Sequence, residues 1–295
     1  MNATYATLHQ RLAASLETVP DKPLENADTA LRALWFAAAG APCSLAAAAI
    51  GELPPLADAA AQRRLEALVG RRLAGEPVAY LTGRSRFMGL DLLSGPGALI
   101  PRIETELLAQ GCIDLLAARD AHQAARVIDV CTGSGNLAFA IARQVPGAEV
   151  FGADISADAL ALAARNRDWL KADNVSLCEG DLLTPFGAEF DATVDLVACA
   201  PPYITSAKVP HMATEIAAHE PRLAFDGGPL GVTILLRLLE EAPRLLKHGG
   251  WLAFEAGLGQ GPAMQRRLAR DRHYDTVRAL TDAHGDIRAI LAHRA

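Results

Sequence analysis

From Arg126 onward, short apolar runs alternate with stretches of helical periodicity, and that alternation leaves few folds open. Val127–Cys131, Ala148–Asp154, Val175–Cys178, Val194–Cys199 and Gly250–Glu255 read as strands. Between and after them, Leu137–Gln144, Ser156–Leu170, Val232–Leu246 and Gly261–Asp271 read as helices, with Ser156 placed to cap its own. Strands that alternate with helices build a mainly parallel, doubly wound α/β sheet covered on both faces. The closing runs Thr276–Ala279 and Ile287–His293 fit an antiparallel edge hairpin.

The first 75 residues follow another pattern. Leu8, Leu12 and Leu16, then Leu31, Leu34 and Trp35, then Leu65, Leu68, Val69 and Leu73 recur at helical spacing. Breaks fall at Pro20–Pro23, Gly40–Pro42 and Leu53–Pro55. A small helical domain over 1–75 is expected. Val78–Gly83 and Phe87–Leu92 are short and glycine-punctuated, so 76–101 reads as a hairpin-like connector. A helix over about Glu104–Ala118 opens a catalytic domain over 102–295.

A 51% apolar fraction over 295 residues suffices for such cores. The net charge is -6, and the acidic excess lies beyond residue 90, which gives no electrostatic support to a nucleic-acid partner. The five cysteines form no CxxC pair and are odd in number, as in a reduced, cytoplasmic protein. Met1–Tyr5 lacks a basic start before an apolar run, so no secretory signal is expected. The apolar run Leu45–Ile50 is too short for a membrane span. The eight histidines are scattered, and no metal-ligand spacing occurs.

Cys131-Thr132-Gly133-Ser134-Gly135 joins the first strand of the alternating part to its helix. Glycines there let the backbone bend and let a nucleotide approach closely. Asp154 ends the next strand, where an acid accepts hydrogen bonds from both ribose hydroxyls; Ile155 follows it. NAD sites share this logic, although their third glycine would fall at Ala138. Asp181, with Leu182, follows the third strand, where a methyltransferase reads the adenine amino group. Features after three successive strands favour S-adenosylmethionine (SAM). Taken singly, each acid also reads as a solvated loop carboxylate.

The fourth strand ends in Ala200-Pro201-Pro202-Tyr203. Two prolines stop the ladder and fix a rigid turn at the carboxyl end of a central strand, where such sheets place reactive groups. The turn can aim backbone carbonyls at a substrate, and Tyr203 can wall a pocket or simply fill the core. The Pro201-Pro202 bond is free to be cis or trans on sequence grounds.

Taken in order, Glu76–Gly83, Phe87–Leu90, Ile100–Glu106, the Cys131–Gly135 turn, Asp154–Ser156, Ala200–Tyr203 and His219–Gly228 resemble the HemK/PrmC family of protein glutamine N5-methyltransferases. The resemblance covers roughly 76–295. It implies a Rossmann-like class I SAM-dependent methyltransferase fold behind a helical, substrate-recognising N-terminal domain. It also implies S-adenosylhomocysteine (SAH) as product, and as partner a peptide chain release factor or another protein with a GGQ motif. It places Arg102, Glu104, Tyr203 and Glu220 near the methionine end of the donor and the substrate.

One departure stands out. The family's reaction loop begins with Asn, whose side-chain oxygen, with the carbonyl of the next proline, accepts the two N–H bonds of the target amide. Here Ala200 holds that place. An amide nitrogen is a poor nucleophile, so its placement carries the catalysis, and a lost acceptor costs roughly 2–4 kcal/mol, on the order of 10²–10³ in rate. Cys131 replaces a small glycine and Ile103 a usual proline, with milder consequences. Three readings follow: a glutamine methyltransferase with its acceptor supplied otherwise, a methyltransferase redirected to a small-molecule amine, hydroxyl, thiol or carboxylate, and a non-catalytic SAM-binding protein. Nucleic-acid methylation ranks fourth. Glu104 and Glu106 also suit a helix start electrostatically. His211 and His219 gain interest only if the acceptor is a hydroxyl.

Overall fold

A computed structural model describes residues 3–16, 23–119 and 124–295. The break expected at Pro20–Pro23 lies, Pro23 apart, outside the described residues. The chain divides into two compact units: Met1–Pro96 with Ile100–Ile103 and Ala213–Glu220, and Gly97–Leu99 with Glu104–Met212 and Pro221–Ala295.

The first unit opens with α1 (Ala3–Ala13), α2 (Ala27–Ala38), α3 (Leu45–Ile50) and α4 (Ala59–Leu73). Asn26, Ser44 and Asp58 cap the last three with side-chain oxygens, satisfying amides that no helix turn reaches. The periodic apolar residues Leu8, Leu12, Leu31, Leu34, Leu65 and Val69 form its core. The connector differs from expectation. Val78–Thr82 is a helix, α5, closed by Gly83 at φ 68. Val78 and Leu81 are buried in the same core, and tertiary burial of that apolar pair favours a helical turn over an extended arm. The hairpin is β1 (Arg84–Phe87) with β2 (Leu90–Leu93). Its two-residue turn, Met88-Gly89, has both φ positive, at 48 and 80, as a turn matched to strand twist requires.

The second unit holds α6 (Glu104–Ala117), β3 (Arg126–Val130), α7 (Asn136–Gln144), β4 (Glu149–Asp154), α8 (Ala157–Leu170), β5 (Val175–Glu179) and β6 (Val194–Cys199). After α9 (Thr214–His219), which belongs to the first unit, come α10 (Thr233–Leu245), β7 (Leu246–Glu255), α11 (Gly261–Leu268), β8 (Tyr274–Thr281) and β9 (Ile287–Arg294). The sheet order is β5-β4-β3-β6-β7-β9-β8. All neighbours are parallel except β9, which runs antiparallel to both β7 and β8. The closing hairpin therefore extends the sheet, with β8 at its edge. The strand order reverses between β3 and β6, the switch point where doubly wound sheets bind ligands. Ser156 caps α8, accepting from the Ala159 amide. No helix among the described residues is long and apolar enough to cross a membrane.

In the first unit, Arg72 is 4% exposed and bridges Glu25 and Glu215, each at 2.8 Å. The two carboxylates compensate a buried guanidinium that would otherwise be costly. This fastens the 213–220 segment to the N-terminal helices.

Candidate functional site

The register pairs Val130 of β3 with Cys199 of β6, so the Cys131–Gly135 turn and the Ala200–Tyr203 loop leave the sheet side by side. The turn is held by carboxylates. Asp129, 1% exposed, accepts from Thr132 Oγ1 at 2.6 Å and from the Ala138 amide at 3.1 Å, both on Oδ2. Burial pushes its carboxyl up to about 7, against the pull of those two donors. Asp154 accepts from the Gly133 amide at 2.8 Å and the Ser156 amide at 2.9 Å, one on each oxygen. Burial raises its pKa as well, against the pull of those backbone amides. Each of its oxygens retains acceptor capacity beyond that single bond.

Gly133, at φ 56, faces open space where a Cβ would stand, so a ligand can approach its backbone. Gly135, at φ 84, has the Phe139 ring 2.2 Å from where a Cβ would stand. Cys131 takes φ 58, a left-handed conformation that suits the glycine it replaces. The Asn166 side chain, fully buried, donates to the Ser134 carbonyl at 3.0 Å. Ile155 is 53% exposed directly after Asp154, free to lie against a planar group. Leu182 is buried at φ 50. Asp181 is not a bare carboxylate: Arg237 Nη1 contacts its two oxygens at 3.0 and 2.9 Å.

Ser134 Oγ and Glu104 Oε2 are among several side-chain atoms of the described residues that are buried without a hydrogen-bond partner. Buried polar atoms are normally satisfied, so two orphans beside the turn and at the start of α6 fit a polar ligand. Together with the open face of Gly133 and the spare acceptor capacity of Asp154, they fit a nucleoside carrying a charged amino-acid tail.

In the reaction loop no peptide is cis, so Pro201-Pro202 is trans. The Tyr203 phenol is buried against Glu255, whose other oxygen partner is Thr105 Oγ1 at 2.6 Å. Burial lifts both the Tyr203 phenol and the Glu255 carboxyl, and Glu104 adds its negative field to each. Tyr203 thus lies at one end of a buried Tyr203–Glu255–Thr105 chain. Beyond it, Ile204 forms a parallel bridge with Asp226, donating to the Phe225 carbonyl at 2.9 Å. Gly227 and Gly231 lie so close that a Cβ would come within 2.5 Å of the Pro202 carbonyl and 2.3 Å of the Tyr203 carbonyl.

Two further expected site residues, Arg102 and Glu220, are both in the first unit and pair with each other at 2.6 Å; the other Glu220 oxygen accepts from the Ile100 amide at 3.0 Å. Sequence reading missed Asp129, Asn166, Glu255 and Gln260. A signal existed for Asp129 and Glu255, each an acid in or ending an otherwise apolar strand. Asn166 and Gln260 carry no local signal, because their partners are distant in sequence. Among the described residues no cluster of three or more His, Cys, Asp or Glu could hold a metal.

A methyltransferase domain model matches residues 121–269, and a PrmC N-terminal domain model matches 53–83. The catalytic domain of human Mettl16 superposes with a TM-score of 0.54 at 14% identity, covering 70% of this chain and 76% of that one. The N-terminal domain of human METTL16 in complex with SAH gives 0.50 at 16%, covering 70% and 76%. These likenesses speak for the fold. The chain is a SAM-dependent methyltransferase. Among curated proteins, the release factor glutamine methyltransferase of Moorella thermoacetica is 40% identical, covering 81% of this chain and 82% of its own. That of Geobacter sulfurreducens is 39% identical, covering 72% of each. The chain belongs to the release factor glutamine methyltransferase family.

Proposed function

We propose that this enzyme methylates the side-chain nitrogen of a glutamine in a GGQ motif of a peptide chain release factor, in the cytoplasm. The observation that carries the reading is the juxtaposition of the Cys131–Gly135 turn and the Ala200–Tyr203 loop on the neighbouring strands β3 and β6. In this reading Asp154 holds the ribose hydroxyls, Ile155 and Leu182 flank the adenine, and Asp181 accepts from its amino group. The unpartnered Glu104 oxygen faces the ammonium of the methionine tail. SAM supplies an electrophilic methyl group on a sulfonium.

The loop acts on the other partner. The Pro201 carbonyl accepts one amide N–H of the glutamine and turns the nitrogen lone pair toward the methyl group. With Ala200 in place, the second N–H is left to water or to the substrate's own backbone. Tyr203, fixed through Glu255, walls the site. The amide proton becomes acidic only as nitrogen acquires its fourth bond, so no strong base is needed before attack. Arg102 and Glu220 hold each other at 2.6 Å within the first unit.

A second reading rests on Ala200 itself. An amine, hydroxyl, thiol or carboxylate acceptor does not need two amide acceptors, and the alanine leaves room for it. One experiment separates the two. The protein is incubated with SAM and a GGQ-containing release factor, and the tryptic peptide is weighed. A gain of one methylene on the glutamine is expected. An unmodified glutamine, with SAM bound tightly by calorimetry, would sink the first reading and leave the second.

A further inference from the structure

Prolines at 201 and 202 offer no backbone N–H, so the stretch that presents the reacting carbonyl cannot be tied down from its own donors. The carbonyl that ends this stretch, that of Tyr203, is held from outside by one side chain. Gln260, half-buried at the start of α11, donates from Nε2 to the Tyr203 carbonyl at 3.0 Å and to the Gly231 carbonyl at 3.1 Å. Its Oε1 accepts from the Gly257 amide at 3.0 Å. Both amide protons and the oxygen are used, and the reversed orientation would set oxygen against two carbonyls. Only a primary carboxamide offers two donors and one acceptor in that plane.

The surroundings are shaped to this group. A Cβ on Gly231 would stand 3.0 Å from Gln260 Nε2, and one on Gly257 would stand 3.0 Å from Gln260 Oε1. Three chain segments, the reaction loop, the 227–231 turn and the end of β7, meet on one amide.

We infer that Gln260 is the positioning residue of the methyl-transfer loop, fixing the Pro201–Tyr203 backbone so that its carbonyl is aimed before the acceptor arrives. The inference rests on the reading that this loop is the reaction site. Gln260 touches neither donor nor acceptor. It acts through Tyr203 and Gly231, so its loss lowers kcat while leaving SAM affinity alone. A misplacement of about 1 Å at a reacting group is enough to lower a rate about 10²-fold.

Three variants of the full chain test this. Gln260→Ala should lower kcat for glutamine methylation by at least about tenfold, with KM and the SAM Kd within about threefold. Hydrogen exchange at the Gly257 and Ile204 amides should speed by about tenfold, with the turn at 131–135 unchanged. Gln260→Glu keeps the acceptor for Gly257 but sets a carboxylate against two carbonyls. Its activity should rise as pH falls and the acid regains a proton to donate, over a range where the wild type is flat. Gln260→Asn, one methylene short, should not rescue. If Gln260→Ala does not fold, the Gln260→Glu pH profile and its exchange pattern decide. Unchanged exchange at Ile204 together with a kcat within about twofold would overturn the inference. If the wild type methylates no glutamine, the proposed substrate falls, and the exchange data alone judge the clamp.

Discussion

The turn after β3 and the loop after β6 leave neighbouring strands at the same end of the sheet, yet they are built in opposite ways. The turn is secured by acids of its own strand pair, Asp129 and Asp154, each accepting from turn or helix amides. The loop has no N–H to offer at two successive positions and is secured by Gln260 and by a strand-like bridge from Ile204 to Asp226. Under the proposed function, donor recognition resides in side chains, whereas acceptor recognition resides in a backbone held from outside. The contrast explains how an alanine can stand at position 200 without disturbing the loop: nothing in the loop's support passes through that side chain.

Asp154→Ala should break the donor side most completely. It strips the Gly133 amide of its partner and, under the proposed function, removes the acceptor for two ribose hydroxyls. Hydrogen bonds to a charged group count about 1.5–3 kcal/mol each, so SAM affinity should fall by roughly 10²–10³, read by calorimetry. A loss below about tenfold would show that the turn backbone alone holds the donor.

Ala200→Asn addresses the acceptor side. If the loop is already correctly shaped, restoring the side-chain oxygen should raise the glutamine methylation rate by about 10²–10³, or roughly 2–4 kcal/mol. SAM affinity should not change. No gain would mean that the loop, despite its clamp, no longer presents an amide correctly, and would favour the redirected acceptor.

Asp129 gives the contrast a pH signature. Its pKa in the folded state is raised by burial to about 7, above the ordinary value of an aspartate. The folded protein thus holds that proton more tightly than the unfolded chain. The stabilising contribution is full below about pH 4 and is lost as pH rises through about 7. Asp129→Asn keeps an oxygen for Thr132 and Ala138 and removes the ionisation. Urea melts of the two proteins should show the wild type losing about 3–4 kcal/mol relative to the variant between pH 4 and pH 8. A difference independent of pH would place the charge in contact with water.

Much of this was legible in the chain itself. The strand–helix alternation beyond Arg126 located every strand of the parallel core, because burial on both faces demands continuous apolar runs there. The closing hairpin was also visible, though not that β9 would lie inside β8. Val78–Thr82 misled, since five residues are too few for periodicity to separate a helical turn from an extended arm. Turn and loop were placed by their glycines and prolines. What secures the loop was hidden, because Gln260 meets Tyr203 across 57 positions of chain, and no local pattern marks a carboxamide whose partners are backbone carbonyls. Likewise Asp181 reads from sequence either as an adenine reader or as a solvated loop carboxylate, and only the fold brings Arg237 to it.

That last pair yields the smallest effect and the finest distinction. Arg237 and Asp181 are 38% and 44% exposed at their side chains, and Arg237 also reaches Glu241 at 3.2 Å. Ion pairs this open are worth about 0–1 kcal/mol. Asp181 keeps lone pairs free while paired, so the guanidinium orients the carboxylate instead of blocking it. Arg237→Ala should weaken SAM binding by about two- to fivefold at low salt and by less at high salt, where screening already loosens the pair. Tighter binding would carry the opposite lesson: Arg237 would be competing with the adenine amino group for the same oxygens. The donor side would then be partly self-occluded, and the asymmetry between a ready turn and a loop awaiting its substrate would narrow.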